Sequence, residues 1–215
     1  MSLTYDCGDP TERTDGIDAA AHAVGRGDLV VLPTDTVYGL GADAFQPAAV
    51  EELLAAKGRG RDMPVPVLVG SWRGLDGLTL FTPPVARDLM EAFWPGGLTL
   101  VVEHAPSLAW DLGDTRGTVA VRMPLHPVAI ELLRRTGPMA VSSANRSGQP
   151  PAATVGEAEA QLGSSVAVYL DGGPSGTAVP STIVDLTGPV PRVLRVGAVD
   201  LDQLRDVVAE LDAAD

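Results

Sequence analysis

The chain has 215 residues, 45% of them hydrophobic, and 28 Asp and Glu against 15 Lys and Arg, a formal net charge of −13. That composition predicts a folded domain with a filled core and excludes a disordered chain. It also excludes broad, non-specific nucleic-acid binding, which needs many cations. No apolar run approaches the ~18 residues that a membrane span requires. Cys7 is the only cysteine, which excludes an intramolecular disulfide and a Cys-rich zinc site. The N-terminus, MSLTYDCGDP, shows no basic-then-apolar leader, and the expected location is the cytoplasm.

Residues 1–14 are polar and predict a partly ordered arm ahead of one domain over 15–215. Ile17, Ala20, Ala21 and Val24 recur at helical spacing and predict a helix over 16–26. Residues 29–32, LVVL, form a continuous apolar run, read as a buried strand that Pro33 stops. Thr34, Asp35 and Thr36 follow. Gly39 and Gly41 then predict a sharp turn or a close approach of backbone to a ligand. Hydroxyls, a carboxylate and glycines at a strand end have the character of an α/β binding rim. Local hydrogen bonding in a tight turn accounts for the same residues.

A second helix is predicted over 46–57, with Pro47 in its first turn and Gly58 as its cap. Lys57 then lies where a cation meets the negative end of the helix dipole. Arg59 and Arg61 follow at once in KGRGR. Three cations in five residues repel one another unless an anion or acidic group is near, so the loop reads as an anion site or as a solvated loop. Residues 63–69, MPVPVLV, read as a strand. Thr82 and Pro83 read as the start of a helix running to Phe93 or Trp94, whose rings read as packing groups.

Residues 98–102 and 118–123 read as strands joined by a polar loop. Alternation in TVAVRM puts Arg122 on the face of Thr118 and Ala120, where it is a surface cation or a carboxylate ligand. A helix over 127–135 precedes a strand from Met139 that ends in Ser142, Ser143, Ala144 and Asn145. Thr154 and Glu157 read as a capping box. A strand over 166–170, a Gly, Ser and Pro loop over 175–180, a strand pair over 181–186 and 191–196, and a helix over 201–211 complete the chain.

Seven stretches in order resemble the YrdC-like family of threonylcarbamoyl-AMP synthases: PTDTVYGLGADAF (33–45), KGR (57–59), WPGGLTLVV (94–102), TVAVRMPLHP (118–127), SSANRSGQPP (142–151), STIVDLT (181–187) and VLRVGAV (193–199). Lys57 and Arg59 with Ser143 and Asn145 resemble the family's hallmark tetrad. The resemblance implies an α/β fold (α+β with a mixed sheet), a single three-layer domain with a twisted sheet flanked by helices, in the short single-domain form. It implies that L-threonine, bicarbonate and ATP give threonylcarbamoyl-AMP and pyrophosphate, with Mg2+ arriving on ATP and no metal ligand on the protein.

The resemblance further implies ATP binding by Lys57, Arg59, Thr118, Ser143, Asn145 and Arg195, and threonine binding by Thr36, Arg122 and Ser181. Downstream, proteins that transfer the threonylcarbamoyl group to tRNA would use the product, with tRNA contact to this chain indirect or weak. Asp35 reads as a turn-forming carboxylate or an outer-sphere magnesium ligand. Two departures stand out. Asp62-Met63-Pro64-Val65 replaces an Asp-Asn-Pro-Leu pattern, and Leu68 stands where a histidine is expected, with Arg61 a candidate to replace part of that function. The alternatives are a carbamoyl-adenylate-forming relative, a binding module for structured RNA or ribosome precursors, and a nucleotide sensor without chemistry.

Overall fold

The computed structural model describes residues 2–176 and 179–213. Asp9 starts the first helix: its carboxylate accepts from the backbone N–H groups of Thr11 and Glu12, and Pro10 takes the first helical position. The first half of the chain runs β1 (Leu3–Asp6), α1 (Pro10–Gly25), β2 (Val30–Leu32), β3 (Gly39–Asp43), α2 (Pro47–Lys57), β4 (Val67–Leu68), α3 (Arg73–Asp76), α4 (Pro84–Phe93) and β5 (Leu98–Glu103). The second half runs β6 (Thr118–Arg122), α5 (Pro127–Thr136), β7 (Met139–Ser143), α6 (Val155–Leu162), a 3-10 turn, β8 (Val168–Asp171), β9 (Thr182–Asp185), β10 (Arg192–Arg195), α7 (Leu201–Val207) and β11 (Asp212–Ala213).

All the strands join one mixed sheet, ordered β1-β8-β2-β3-β7-β4-β6-β5-β9-β10-β11. Alternation along each strand splits the core. Val30, Leu32, Leu68, Met139 and Val141 pack with α1 and α5 on one face. Val31, Leu40, Val67, Ala140 and Tyr169 pack on the other, with α2, α4, α6 and α7. The domain is therefore the three-layer α/β arrangement expected. Helices α1 and α5 cover only one part of their face, and the part formed by β6, β5 and β9 faces a cavity.

Several local expectations are corrected. The predicted N-terminal arm is woven into the fold, since β1 pairs in parallel with β8 at the sheet edge and α1 begins at Pro10. Gly39 and Gly41 do not make a sharp turn. They lie in β3, between β2 and β7, where a Cβ would sit 2.6 Å from Val141 Cγ1 and 2.7 Å from Met139 Cε. β4 is two residues long because Pro64 and Pro66 lack the N–H a longer ladder needs. The α4 helix is capped at Pro83 rather than Thr82. The final helix stops at Val207, and the chain then adds β11 beside β10. The strand pair β9 and β10, the α2 cap at Gly58 and the Asp200–Gln203 capping box form as read.

Candidate active site

The exposed part of the sheet floors a cavity of about 370 Å³. Register explains its floor. Ala120 pairs with Val101 across β6 and β5, Thr99 pairs with Ile183 across β5 and β9, and Leu68 pairs with Arg122 across β4 and β6, so these side chains share one face. Arg59, Arg122 and Arg195 reach the same cavity from the loop after α2, the end of β6 and the end of β10. No Asp or Glu lines it among the described residues.

Arg122 is 6% exposed and held by three groups from two segments, the turn after β2 and the turn before β5. Its Nε donates to Gly96 O at 2.9 Å, its NH1 to Thr36 Oγ1 at 2.8 Å, and its NH2 to Asp35 Oδ1 at 2.6 Å. A guanidinium carries five N–H groups, so two remain for a ligand. Burial lowers the pKa of Arg122, and the Asp35 carboxylate opposes that. Asp35 Oδ1 also accepts from Leu125 N at 2.7 Å, which ties the turn after β2 to the start of α5. Asp35 is thus an ion-pair partner, in keeping with a structural carboxylate rather than a metal ligand.

Arg195 donates from Nε and NH2 to Ser181 O, and NH2 also reaches Ser181 Oγ at 3.2 Å. Ser181 Oγ lies 2.8 Å from Thr99 Oγ1. Arg59 NH1 donates to Ser142 Oγ at 3.1 Å, while its buried Nε has no partner. Burial lowers the pKa of both arginines; Arg59 adds to the effect on Arg195, and Asp62 opposes it on Arg59. Two guanidiniums without a carboxylate partner therefore face a cavity with no acid in its wall. Such a site attracts a polyanion.

The structure brings the expected tetrad together, in two layers. Arg59 and Ser143 line the cavity. Lys57 and Asn145 lie behind its wall. Lys57 is 3% exposed, and its ammonium donates to the backbone carbonyls of Ser143 and of Asn145, the latter at 2.7 Å. Burial, and then the charge of Arg59, push the Lys57 pKa down to about 8. The Asn145 amide nitrogen donates to Arg146 O and Gln149 O and closes the loop after β7. Among the predicted nucleotide and amino-acid contacts, Thr36, Arg122, Ser181 and Arg195 line the cavity. Thr118 does not; its hydroxyl donates to Thr115 O at 2.8 Å.

Arg61 does not replace the missing histidine. It turns outward to Asp111 at 2.7 Å and Asp114 at 3.8 Å, so the KGRGR loop has an acidic partner at one cation and a cavity at another. Leu68 occupies the histidine's place as part of the wall. Thr34, read from the sequence as part of a binding rim, lines the cavity, as do Tyr38 and Thr99, which that reading missed. Thr99 carried a signal, a lone hydroxyl among Leu98, Leu100 and Val101 in a strand. Tyr38 Oη donates to Gly173 O at 2.6 Å and accepts from Gly172 N, which fixes the chain entering 175–180. The Gly, Ser and Pro loop over 175–180 includes residues 177–178, which lie outside the described residues.

A Sua5/YciO/YrdC family model, described as telomere recombination, matches residues 22–197. The chain belongs to this family. A Mycobacterium tuberculosis relative, provisionally named a threonylcarbamoyl-AMP synthase, is 62% identical over 214 residues, 100% of this chain and 98% of that one. The Bacillus subtilis threonylcarbamoyl-AMP synthase is 39% identical over 198 residues, covering 91% of this chain and 57% of the relative. The solved Pyrococcus abyssi Sua5 structure in complex with L-threonine superposes with a TM-score of 0.93 at 34% identity. That match covers all of this chain and 62% of the archaeal one, so the Sua5/YrdC domain accounts for this chain while the archaeal chain extends beyond it.

Proposed function

We propose that the chain is an L-threonylcarbamoyladenylate synthase, an adenylyltransferase that converts L-threonine, bicarbonate and ATP to threonylcarbamoyl-AMP and pyrophosphate. One observation carries this reading: Arg59, Arg122 and Arg195 converge on a single cavity whose wall holds no carboxylate. A polyphosphate and an amino-acid carboxylate supply the anions that this arrangement lacks. The relatives' names and the threonine complex of the Pyrococcus protein support the choice of substrates.

The threonine amine adds to carbon dioxide and releases a proton, or condenses with bicarbonate and releases water, to give a carbamate. A carbamate oxygen then attacks the α-phosphorus, and the bond to pyrophosphate breaks in line. The chain's work is positioning and charge stabilisation, and correct orientation alone supplies on the order of 7–11 kcal/mol in favourable cases. Arg122, with its two remaining N–H donors, holds the threonine carboxylate, beside Thr36 and Ser181. Arg59 and Arg195 hold phosphate oxygens and offset the charge that grows on pyrophosphate. Ser143 offers a hydroxyl to the nucleotide. Lys57 and Asn145 keep the Ser143 loop in place from behind, and Thr118 acts at most on the outer edge of the nucleotide.

Magnesium enters as part of the ATP substrate. The described residues contain no cluster of three His, Cys, Asp or Glu that could hold an ion, and the wall offers only neutral and cationic side chains. The ion would therefore be carried by phosphate oxygens and water. The labile product passes to proteins that transfer the threonylcarbamoyl group to an adenosine next to the tRNA anticodon. A chain of net charge −13 has no need to grip the tRNA itself. No described helix is long and apolar enough to cross a membrane, and the cytoplasm is the proposed location.

The test is pyrophosphate release with mass detection of the adenylate. Turnover should need L-threonine, bicarbonate and ATP together, and should vanish when any one is left out. Pyrophosphate release that ignores threonine would refute the reading.

A further inference from the structure

The hydroxyls of Thr34 and Thr36, both in the cavity lining, have only one consistent direction. Thr34 Oγ1 lies 2.6 Å from Val37 O, which accepts but cannot donate, so the single Thr34 hydroxyl proton is spent there. Thr34 Oγ1 must therefore accept from its other neighbours, Thr36 N at 3.2 Å and Thr36 Oγ1 at 3.1 Å. That commits the Thr36 proton to Thr34. Arg122 NH1 fills one Thr36 lone pair from 2.8 Å. A hydroxyl has one donor and two acceptor positions, so Thr36 has one lone pair left.

The Ser181 and Thr99 hydroxyls, also in the lining, behave differently. Ser181 Oγ and Thr99 Oγ1 share a hydrogen bond in which either can donate, and Arg195 supplies a further N–H to Ser181. Whichever way that bond runs, one of the two hydroxyl protons is uncommitted. Thr36 thus offers a lone pair, and the Ser181–Thr99 pair offers a hydroxyl donor.

We propose that Thr34 sets the hydrogen-bond polarity of the amino-acid subsite, locking the Thr36 hydroxyl as an acceptor so that the subsite selects a ligand offering an N–H or O–H at that point. The proposal rests on L-threonine being the substrate. Thr34, 5% exposed, is a positioning residue that acts through Thr36. A valine has the shape of threonine but neither accepts nor donates, so Thr34→Val releases the Thr36 proton to point at the ligand, donor against donor. Thr34→Ser keeps the lock.

The experiment is steady-state pyrophosphate release by the wild type, Thr34→Val and Thr34→Ser, with thermal melts confirming the fold. The wild type and Thr34→Ser should share one KM for L-threonine within about twofold. Thr34→Val should raise it about tenfold, the scale of one misdirected hydrogen bond, with the KM for ATP unchanged. L-2-aminobutyrate, which lacks the hydroxyl, separates the two sources of the donor. If the donor is the substrate O–H, this analogue shows a raised KM in the wild type and no further rise in Thr34→Val. If it is the N–H, Thr34→Val penalises both amino acids alike. An unchanged threonine KM in folded Thr34→Val overturns the proposal, as does a Thr34→Ser variant equally impaired or a matching rise in the KM for ATP. Should Thr34→Val not fold, Thr36→Val removes the acceptor itself, and an unchanged threonine KM there also overturns it. A wild type without threonine-dependent turnover overturns the substrate reading and this proposal with it.

Discussion

Replacing Lys57 with methionine isolates the buried ammonium behind the cavity. The side chain keeps its length and loses its charge and both hydrogen bonds to the carbonyls of Ser143 and Asn145. A hydrogen bond from a charged donor contributes roughly 1.5–3 kcal/mol, but burying the charge itself is unfavourable. A pKa drawn from 10.5 down to about 8 puts that offset at roughly 3 kcal/mol. The Asn145 carbonyl is then left without its donor, which costs about 1–3 kcal/mol. Lys57→Met should therefore lose about 2 kcal/mol, or roughly 4–8 °C in Tm for a chain of this size.

The pH profile gives a sharper signature. Above pH 8 the folded Lys57 has shed its proton while the unfolded one keeps it until about 10.5. The unfolded state then binds more protons, so stability rises with pH across that interval. Between pH 8 and 9 the rise is at most about 1 kcal/mol, roughly 2–4 °C in Tm. Burial pushes the Cys7 thiol up, from 9.0 to about 11, so the unfolded thiol ionises first and an opposing loss of stability sets in from about pH 8, smaller than the Lys57 gain up to pH 9. Thermal melts in reducing buffer from pH 7.5 to 9 should show the wild type climbing and Lys57→Met level or falling slightly. A wild type that does not climb, or a variant that climbs with it, would refute the account of Lys57 as a charge held under strain by burial.

Arg59→Met should raise the KM for ATP about 10- to 100-fold, the loss of one charged phosphate contact, while Tm holds or rises because a half-satisfied guanidinium leaves the interior; a large fall in Tm with intact ATP binding would reverse that assignment. Asp35→Asn should destabilise by about 2–4 kcal/mol, since Arg122 keeps its burial and loses its charged partner. The same variant should raise the KM for threonine more than that for ATP, and denaturant melts with substrate kinetics check both. Gly197→Ala should cost about 3 kcal/mol or more and depress threonine binding, because a Cβ there would stand 2.1 Å from Pro180 O and 2.8 Å from the Ser181 carbonyl carbon; a melt within about 1 °C of wild type would show that β9 yields more easily than its hydrogen bonds suggest.

The sequence makes the strong elements readable because each carries its own local cause. Apolar alternation marks β5 and β6, Gly58 and Gly137 mark helix ends, and Asp200 with Gln203 marks the start of α7. What escapes notice depends on partners distant in the chain. Nothing local says that Gly39 and Gly41 lie in a central strand; that follows from Val141 and Met139 needing the space a Cβ would take. Nor does residues 1–14 reveal by composition that β8, more than 160 residues on, will accept Leu3–Asp6 as an edge. In the site, charge clustering pointed to KGRGR as a unit, yet the fold assigns its three cations three tasks: Lys57 to backbone carbonyls, Arg59 to the cavity, Arg61 to Asp111. One-dimensional spacing cannot tell those apart, because each outcome is set by which loop lies opposite.

The cavity also explains why so much of the core lies elsewhere. A sheet face left without helices, lined by guanidiniums whose pKa values burial lowers, is unfavourable for the ligand-free chain. Two apolar layers, one under α1 and α5 and one under α2, α4, α6 and α7, offset that cost. The unfavourable term is useful because it is recovered when anions arrive. On the proposed reading, Arg122, buried and fixed by Gly96, Asp35 and Thr36, and Arg195, fixed by Ser181, would need little rearrangement as charge moves toward the leaving pyrophosphate. A site built of solvated, mobile arginines would bind ATP by the same Coulomb attraction. It would have to reorganise its water and its rotamers in the transition state, and would lose the part of the attraction that accelerates the reaction. On the proposed reading, the fixed, carboxylate-poor arrangement that weakens the empty fold is thus the one that would let these charges act on the reaction.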